Sequence, residues 1–175
     1  MRAAAFALTW ILTTAASPAE RRVGTSETPD TTRLWPCRLV VKPPLLNVVQ
    51  DGWQRSPTLQ RQCRRLADAG AVVDIAWGKT DSYARAATRI GRDSNGVIVA
   101  MISVPPVSDV IELVAHELEH VLEWVDGRDL PGEARRRGSA VWSAFGGFET
   151  QRAIDTGRQA AREVEESRRR GIVRE

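Results

Sequence analysis

The run Val114-Ala115-His116-Glu117-Leu118-Glu119-His120-Val121-Leu122 contains the pattern H-E-x-x-H. Residues four apart on a helix share a face at about 6 Å, so His116 and His120 can present two imidazoles to one metal ion. Zinc accepts neutral imidazole nitrogen, and two nitrogens plus one carboxylate leave a fourth position open to water. Glu117 lies between the histidines, where it can take a proton from that water as a general base. The competing reading is a helix carrying two incidental surface histidines. The chain holds 2 His in all, and both fall in this motif, which argues for a metal site.

Such a site needs a third protein ligand. Asp126, six residues after His120, would suit the metzincin pattern, but that pattern wants glycine three residues after the second histidine and this chain has Glu123 there. Glu149 is the better candidate. The last helix is expected to begin near Phe148, with Ala153, Gly157, Ala160, Ala161 and Val164 on one face of small residues and Glu149 at its edge. Small side chains let a helix approach its neighbour closely and turn that carboxylate toward the motif helix. The bland role for Glu149 is to favour a helix N-terminus through the dipole, worth under about 1 kcal/mol.

A helix-borne His116-Glu117-x-x-His120 with a later glutamate resembles the gluzincin metallopeptidases, above all their small single-domain forms. Ala115-His116-Glu117-Leu118-x-His120 with Phe148-Glu149-Thr150, and Ser56-Pro57-Thr58 at a helix start, are also similar to a group of small exported bacterial proteins. The likeness spans roughly residues 35–165 and rests on those three short motifs. It implies His116, His120 and Glu149 as zinc ligands and Glu117 as base. One departure stands out. Gluzincins supply a His or Tyr to stabilise the oxyanion, whereas here no third His exists and Tyr83 is the sole tyrosine. Arg152 or another arginine would have to serve in its place.

The elements that must position these groups follow from periodicity. At about 100° per residue, Val110, Ile111, Val114, Leu118, Val121, Leu122 and Val125 form one apolar arc of a helix over residues 109–125. Glu112, Glu119, Glu123 and Asp126 form a separate acidic face, and His116 and His120 occupy a third sector that a second element could cover. Ser56-Pro57 reads as an N-cap with proline at the first helical position, opening a helix that Gly70 closes. Residues 39–41 and 45–49 read as extended segments divided by Pro43 and Pro44, and residues 71–77 as a strand. Residues 83–90 suit helix or strand. Residues 97–104 read as a buried strand that ends at Pro105-Pro106, and residues 127–139 as a charged loop or short helix. The fold class is α+β: a small mixed sheet packed against the HExxH helix and a C-terminal helix, in a minimal gluzincin-like arrangement.

The N-terminal segment suggests export. Arg2 is followed by an uncharged apolar run over residues 3–16 and then by small residues, so residues 1–19 read as a signal peptide, cleaved after Ala16 or Ala19. Residues 20–34 read as a flexible N-terminus, 35–170 as the zinc-metallopeptidase-like domain and 171–175 as a tail. The expected location is secreted or periplasmic, with no transmembrane anchor after cleavage. In that oxidising setting Cys37 and Cys63 can form a disulfide, or remain two buried thiols. A pI near 9.4 rests almost wholly on arginine, since Lys42 and Lys79 are the only lysines. A net charge of +3 is a weak footprint, and no nucleic-acid partner is expected.

The functional expectation is a hydrolase of the metallopeptidase type, using zinc-activated water and acting on a peptide or protein. If its edge is free, the 97–104 strand could take an extended peptide by strand addition. The rival is a non-enzymatic zinc-binding envelope or interaction protein. A third reading is a peptidase blocked by residues 20–34. Nothing in the sequence sets an oligomeric state. The tryptophans are expected mainly in packing, and the Arg135–Arg137 and Arg168–Arg170 clusters in solvent.

Overall fold

A computed structural model of the chain describes residues 35–80, 84–144 and 146–172. The signal-peptide and N-terminal segments, and with them any block by residues 20–34, lie outside the described residues, as does Tyr83. Among the described residues the order is β1 (Arg38–Val41), α1 (Leu45–Arg55), α2 (Pro57–Asp68), β2 (Val72–Trp77), β3 (Ala87–Arg92), β4 (Ile98–Val104), α3 (Val110–Val125), α4 (Leu130–Ala134), β5 (Val141–Ala144), β6 (Gly147–Thr150) and α5 (Gln151–Ile172). A four-stranded mixed sheet runs β1-β2-β4-β3, and β5 and β6 make a separate hairpin. This is an α+β fold.

The strands β1, β2 and β4 are parallel, and β3 runs antiparallel at the edge beside β4. Alternate residues Leu39, Val41, Val73, Ile75, Ala100 and Ile102 are buried, so one face of the sheet builds the core. The other face is more open, with Met101 55% exposed. The 97–104 strand is therefore buried on one face only, and it is not an edge. Among the described residues the sheet edge beside the motif helix belongs to β3, which resolves the helix-or-strand ambiguity of residues 83–90 over its described part.

The helix α3 packs against α1, α2, α5, β3 and β4. Its arc from Val110 to Leu122 is buried as the 3.6-residue period requires. Residues 45–49, expected extended, are helical instead. Leu45, Val49 and Gly52 are buried at intervals of four and three, a helical spacing masked by the local run of Leu and Val. Gly52 lets α1 lie against α3, since a Cβ there would meet Ile111 Cδ1 at 2.3 Å.

Ser56 caps α2 as expected, its Oγ accepting from Leu59 N at 3.1 Å, with Pro57 at the first turn. The same helix start receives Glu163 from α5. Glu163 Oε2 accepts from Ser56 Oγ at 2.6 Å and Thr58 N at 2.9 Å, and Oε1 accepts from Thr58 Oγ1 at 2.9 Å. Burial pushes the Glu163 carboxyl up, but these hydrogen bonds, with one more from Gln159 Nε2 at 3.1 Å, outweigh it and hold it below its ordinary value of 4.5. A depressed carboxylate contributes stability that is present above the unfolded value and lost as pH falls through the folded one. The stability gap between wild type and Glu163→Gln is accordingly expected to hold from pH 7 to pH 5 and to narrow below about pH 4.5. Urea denaturation across that range checks it; a gap independent of pH would contradict it.

Cys37 and Cys63 form a disulfide across a sequence separation of 26, tying the entry to β1 onto α2. Closing a loop of that length is worth about 3–4 kcal/mol in the chain-entropy account. The Cys37→Ser/Cys63→Ser protein should lose about 3 kcal/mol in urea unfolding, whereas a loss within experimental error would show that the bridge is dispensable. The bond fits an oxidising compartment, and no described helix is long and apolar enough to cross a membrane.

Candidate metal centre

The register of α3 fixes the first two groups. His116 and His120 lie one turn apart with their Nε2 atoms separated by 3.2 Å. Glu149 is expected on the last helix but stands on β6, where it pairs across the hairpin with Trp142. The hairpin has a tight turn through Gly146 (φ 81), and its Trp, Phe and Thr favour strand. Thr150 then starts α5, its Oγ1 accepting from Ala153 N at 3.0 Å. The strand still delivers the carboxylate to the expected place. Glu149 Oε1 lies 3.2 Å from His116 Nε2 and 3.3 Å from His120 Nε2.

These three residues form a cluster that could hold a metal ion. A tetrahedral zinc with bonds of about 2.0–2.1 Å places neighbouring donor atoms about 3.3–3.4 Å apart, close to the 3.2–3.3 Å edges seen here. The donor set, two imidazoles and one carboxylate, fits zinc equally well in chemistry.

Small residues allow the approach, as the sequence implies. Ala153, Ala160 and Val164 are buried, and Gly157 faces α3, where a Cβ would come within 2.6 Å of the Glu112 carbonyl and 3.1 Å of His116 Cβ. Gly157→Ala is thus expected to destabilise by about 1–3 kcal/mol through overpacking and to weaken metal binding. Helix propensity alone would make the same change stabilising by up to about 1 kcal/mol, so the sign of the shift in thermal unfolding decides.

Glu117 is 6% exposed and is not one of the three clustered donors. Its Oε2 accepts from Thr88 Oγ1, on the edge strand β3, at 2.6 Å. Thr88 had no signal in the sequence, because its role depends on how β3 meets α3. Asp126, the alternative ligand, is engaged elsewhere: Arg65 lies 2.5 Å and Arg152 3.3 Å from its carboxylate. Arg152 also holds Glu119 at 2.5 Å, so the arginine suggested as an oxyanion donor serves the opposite flank of α3.

The acidic face of α3 is partly interior. Glu119 is 5% and Glu123 0% exposed, and Glu123 Oε2 lies 2.9 Å from His120 Nδ1. Burial opposes charging of His120, but hydrogen bonds with Glu123 and Glu149 and the nearby Glu117 carboxylate raise its pKa to about 9. Burial likewise opposes ionisation of Glu149, and its hydrogen bonds with His116 and His120 prevail, holding it well below the usual carboxylate range. A cation in this cluster would replace the proton of His120.

A cleft of about 460 Å³ between α2, α3 and α5 is lined by Arg61, Arg65, Glu119 and Arg162, among others, and by none of His116, Glu117, His120 or Glu149. Trp124, one helical turn beyond His120, and Trp142, opposite Glu149 across the hairpin, are 38% and 40% exposed, with the Arg92 guanidinium 5.1 Å from the Trp124 ring centre. No protein-family model, no curated protein and no solved structure matches this chain.

Proposed function

We propose that the protein is an exported zinc-dependent hydrolase of the metallopeptidase type, acting on a peptide or protein substrate. The observation that carries this reading is the juxtaposition of three metal-ligating atoms with a buried carboxylate that is not itself clustered with them. His116, His120 and Glu149 hold the ion. When bound, zinc supplies Lewis acidity that polarises a carbonyl and makes water acidic near pH 7.

Glu117 supplies the proton chemistry. Thr88 donates to one of its oxygens, which fixes the carboxylate beside the histidine pair and leaves the other oxygen to accept a proton from water. The same carboxyl then returns the proton to the departing amine. A site that only stabilises a fold has no need of such a base. The outer edge of β3, which carries Thr88 and pairs with no other strand among the described residues, offers backbone groups to an extended peptide running past Glu117. That edge replaces β4 as the surface for strand addition.

The second reading is a non-enzymatic zinc-binding envelope protein, and the engagement of Arg152 by Glu119 and Asp126 favours it by removing one oxyanion candidate. Hydrolysis of a mixed peptide library separates the two. The hydrolase reading expects cleavage that is lost on chelation and restored by zinc. Zinc bound with no peptide cleaved would leave the binding protein. Two imidazoles and a carboxylate also suit iron(II), and activity restored by iron but not zinc would overturn the zinc assignment.

A further inference from the structure

We infer that Glu123 and Thr150 are positioning residues that preset the metal site by fixing the tautomer of His120 and docking the strand that carries Glu149. This rests on the zinc reading above. A buried carboxylate is costly unless it is fully paired, and Glu123 is completely buried. Three residues after His120 on the same helix, it reaches back to His120 Nδ1 at 2.9 Å. Its other oxygen accepts from Thr150 Oγ1 at 2.8 Å and from Arg128 Nη1 at 2.5 Å.

Arg128 arrives there because of how α3 ends. Gly127 takes φ 67, and the turn closes with Gly127 N on Trp124 O at 3.0 Å and Arg128 N on Glu123 O at 3.1 Å, a Schellman end. That turn folds the chain back so that the guanidinium returns to Glu123, while Glu133 pairs with its far side. The buried charge is therefore neutralised without entering the metal cluster.

Thr150 completes a circuit. Its hydroxyl donates to Glu123 and accepts from Ala153 N, and it directly follows Glu149. His120 and Glu149 are thus joined twice, once through their facing donor atoms at 3.3 Å and once through Glu123 and Thr150. An ionised carboxylate can only accept, so His120 must donate from Nδ1. In the neutral ring the lone pair then lies on Nε2, the atom facing His116 and Glu149. The other tautomer would point a hydrogen at the metal.

Glu123→Gln keeps the shape but offers an amide N–H to His120, which makes Nδ1 the acceptor and moves the proton to Nε2. Zinc affinity by chelator competition is expected to fall about 10–100-fold, and ¹⁵N NMR of the neutral, metal-free ring should change from the Nδ1–H to the Nε2–H pattern. Thr150→Val is expected to weaken zinc by about tenfold while Thr150→Ser stays near wild type; this pair carries the test should Glu123→Gln not fold. Wild-type zinc affinity with an unchanged Nδ1–H pattern in Glu123→Gln would overturn the inference. Failure of wild type itself to bind zinc would sink the zinc reading instead. The nitrogen spectra would then still decide whether Glu123 sets the ring.

Discussion

Glu117→Gln is expected to keep its zinc and lose about 100-fold or more in peptide hydrolysis. The amide retains an oxygen for the Thr88 hydroxyl, now 2.6 Å from Glu117 Oε2, so the side chain can stay in place. What it loses is the capacity to accept a proton. Glu117 is not one of the three clustered donors, so nothing in the change should release the ion. The check is metal content beside kcat for the same preparation. Turnover within a few fold of wild type, with zinc retained, would remove Glu117 from the chemistry.

Glu149→Gln should act in the opposite sense, weakening zinc by tenfold or more because a carboxylate that faces both imidazoles becomes neutral. Its contrast is Asp126→Asn, expected to leave zinc affinity unchanged, since Asp126 pairs with Arg65 and Arg152. Both substitutions remove one negative charge at similar cost in shape, so a difference between them reports ligation rather than general electrostatics. Chelator competition on the two variants measures it. Zinc lost in Asp126→Asn and kept in Glu149→Gln would exchange their roles.

The parts of the fold that repeat with a helical period were legible from residue order. The apolar arc of α3, the small-residue face of α5 and the Ser56-Pro57 start all follow from local spacing and capping chemistry. That small-residue face points to Glu149 even though the residue lies on β6 rather than on the helix. The face begins at Ala153, and the chain that enters it must pass close to α3, so the direction of approach survived the wrong element. The helix α1 was obscured because Leu45, Leu46, Val48 and Val49 after two prolines look strand-like locally. Its buried spacing is decided by contact with α2, α3, α5 and the sheet.

Glu123 shows the other limit. Its type and its place among Glu112, Glu119 and Asp126 suggest a solvated face, and nothing periodic reveals that Arg128 and Thr150 close over it. Those partners come from a helix-ending turn and from a strand 27 residues away, and such pairings are set by tertiary packing. The pairing of Thr88 with Glu117 is likewise set by tertiary packing. The charge on a helix face therefore did not predict its exposure, while the motif within that helix did predict the cluster.

The central claim is that His116, His120 and Glu149 hold one zinc ion. Metal analysis of the purified protein after zinc loading and removal of excess, beside His116→Ala/His120→Ala treated alike, tests it most directly. About one zinc per wild-type chain and almost none in the double variant is the predicted result. Equal zinc in both proteins, or none in the wild type, would contradict it.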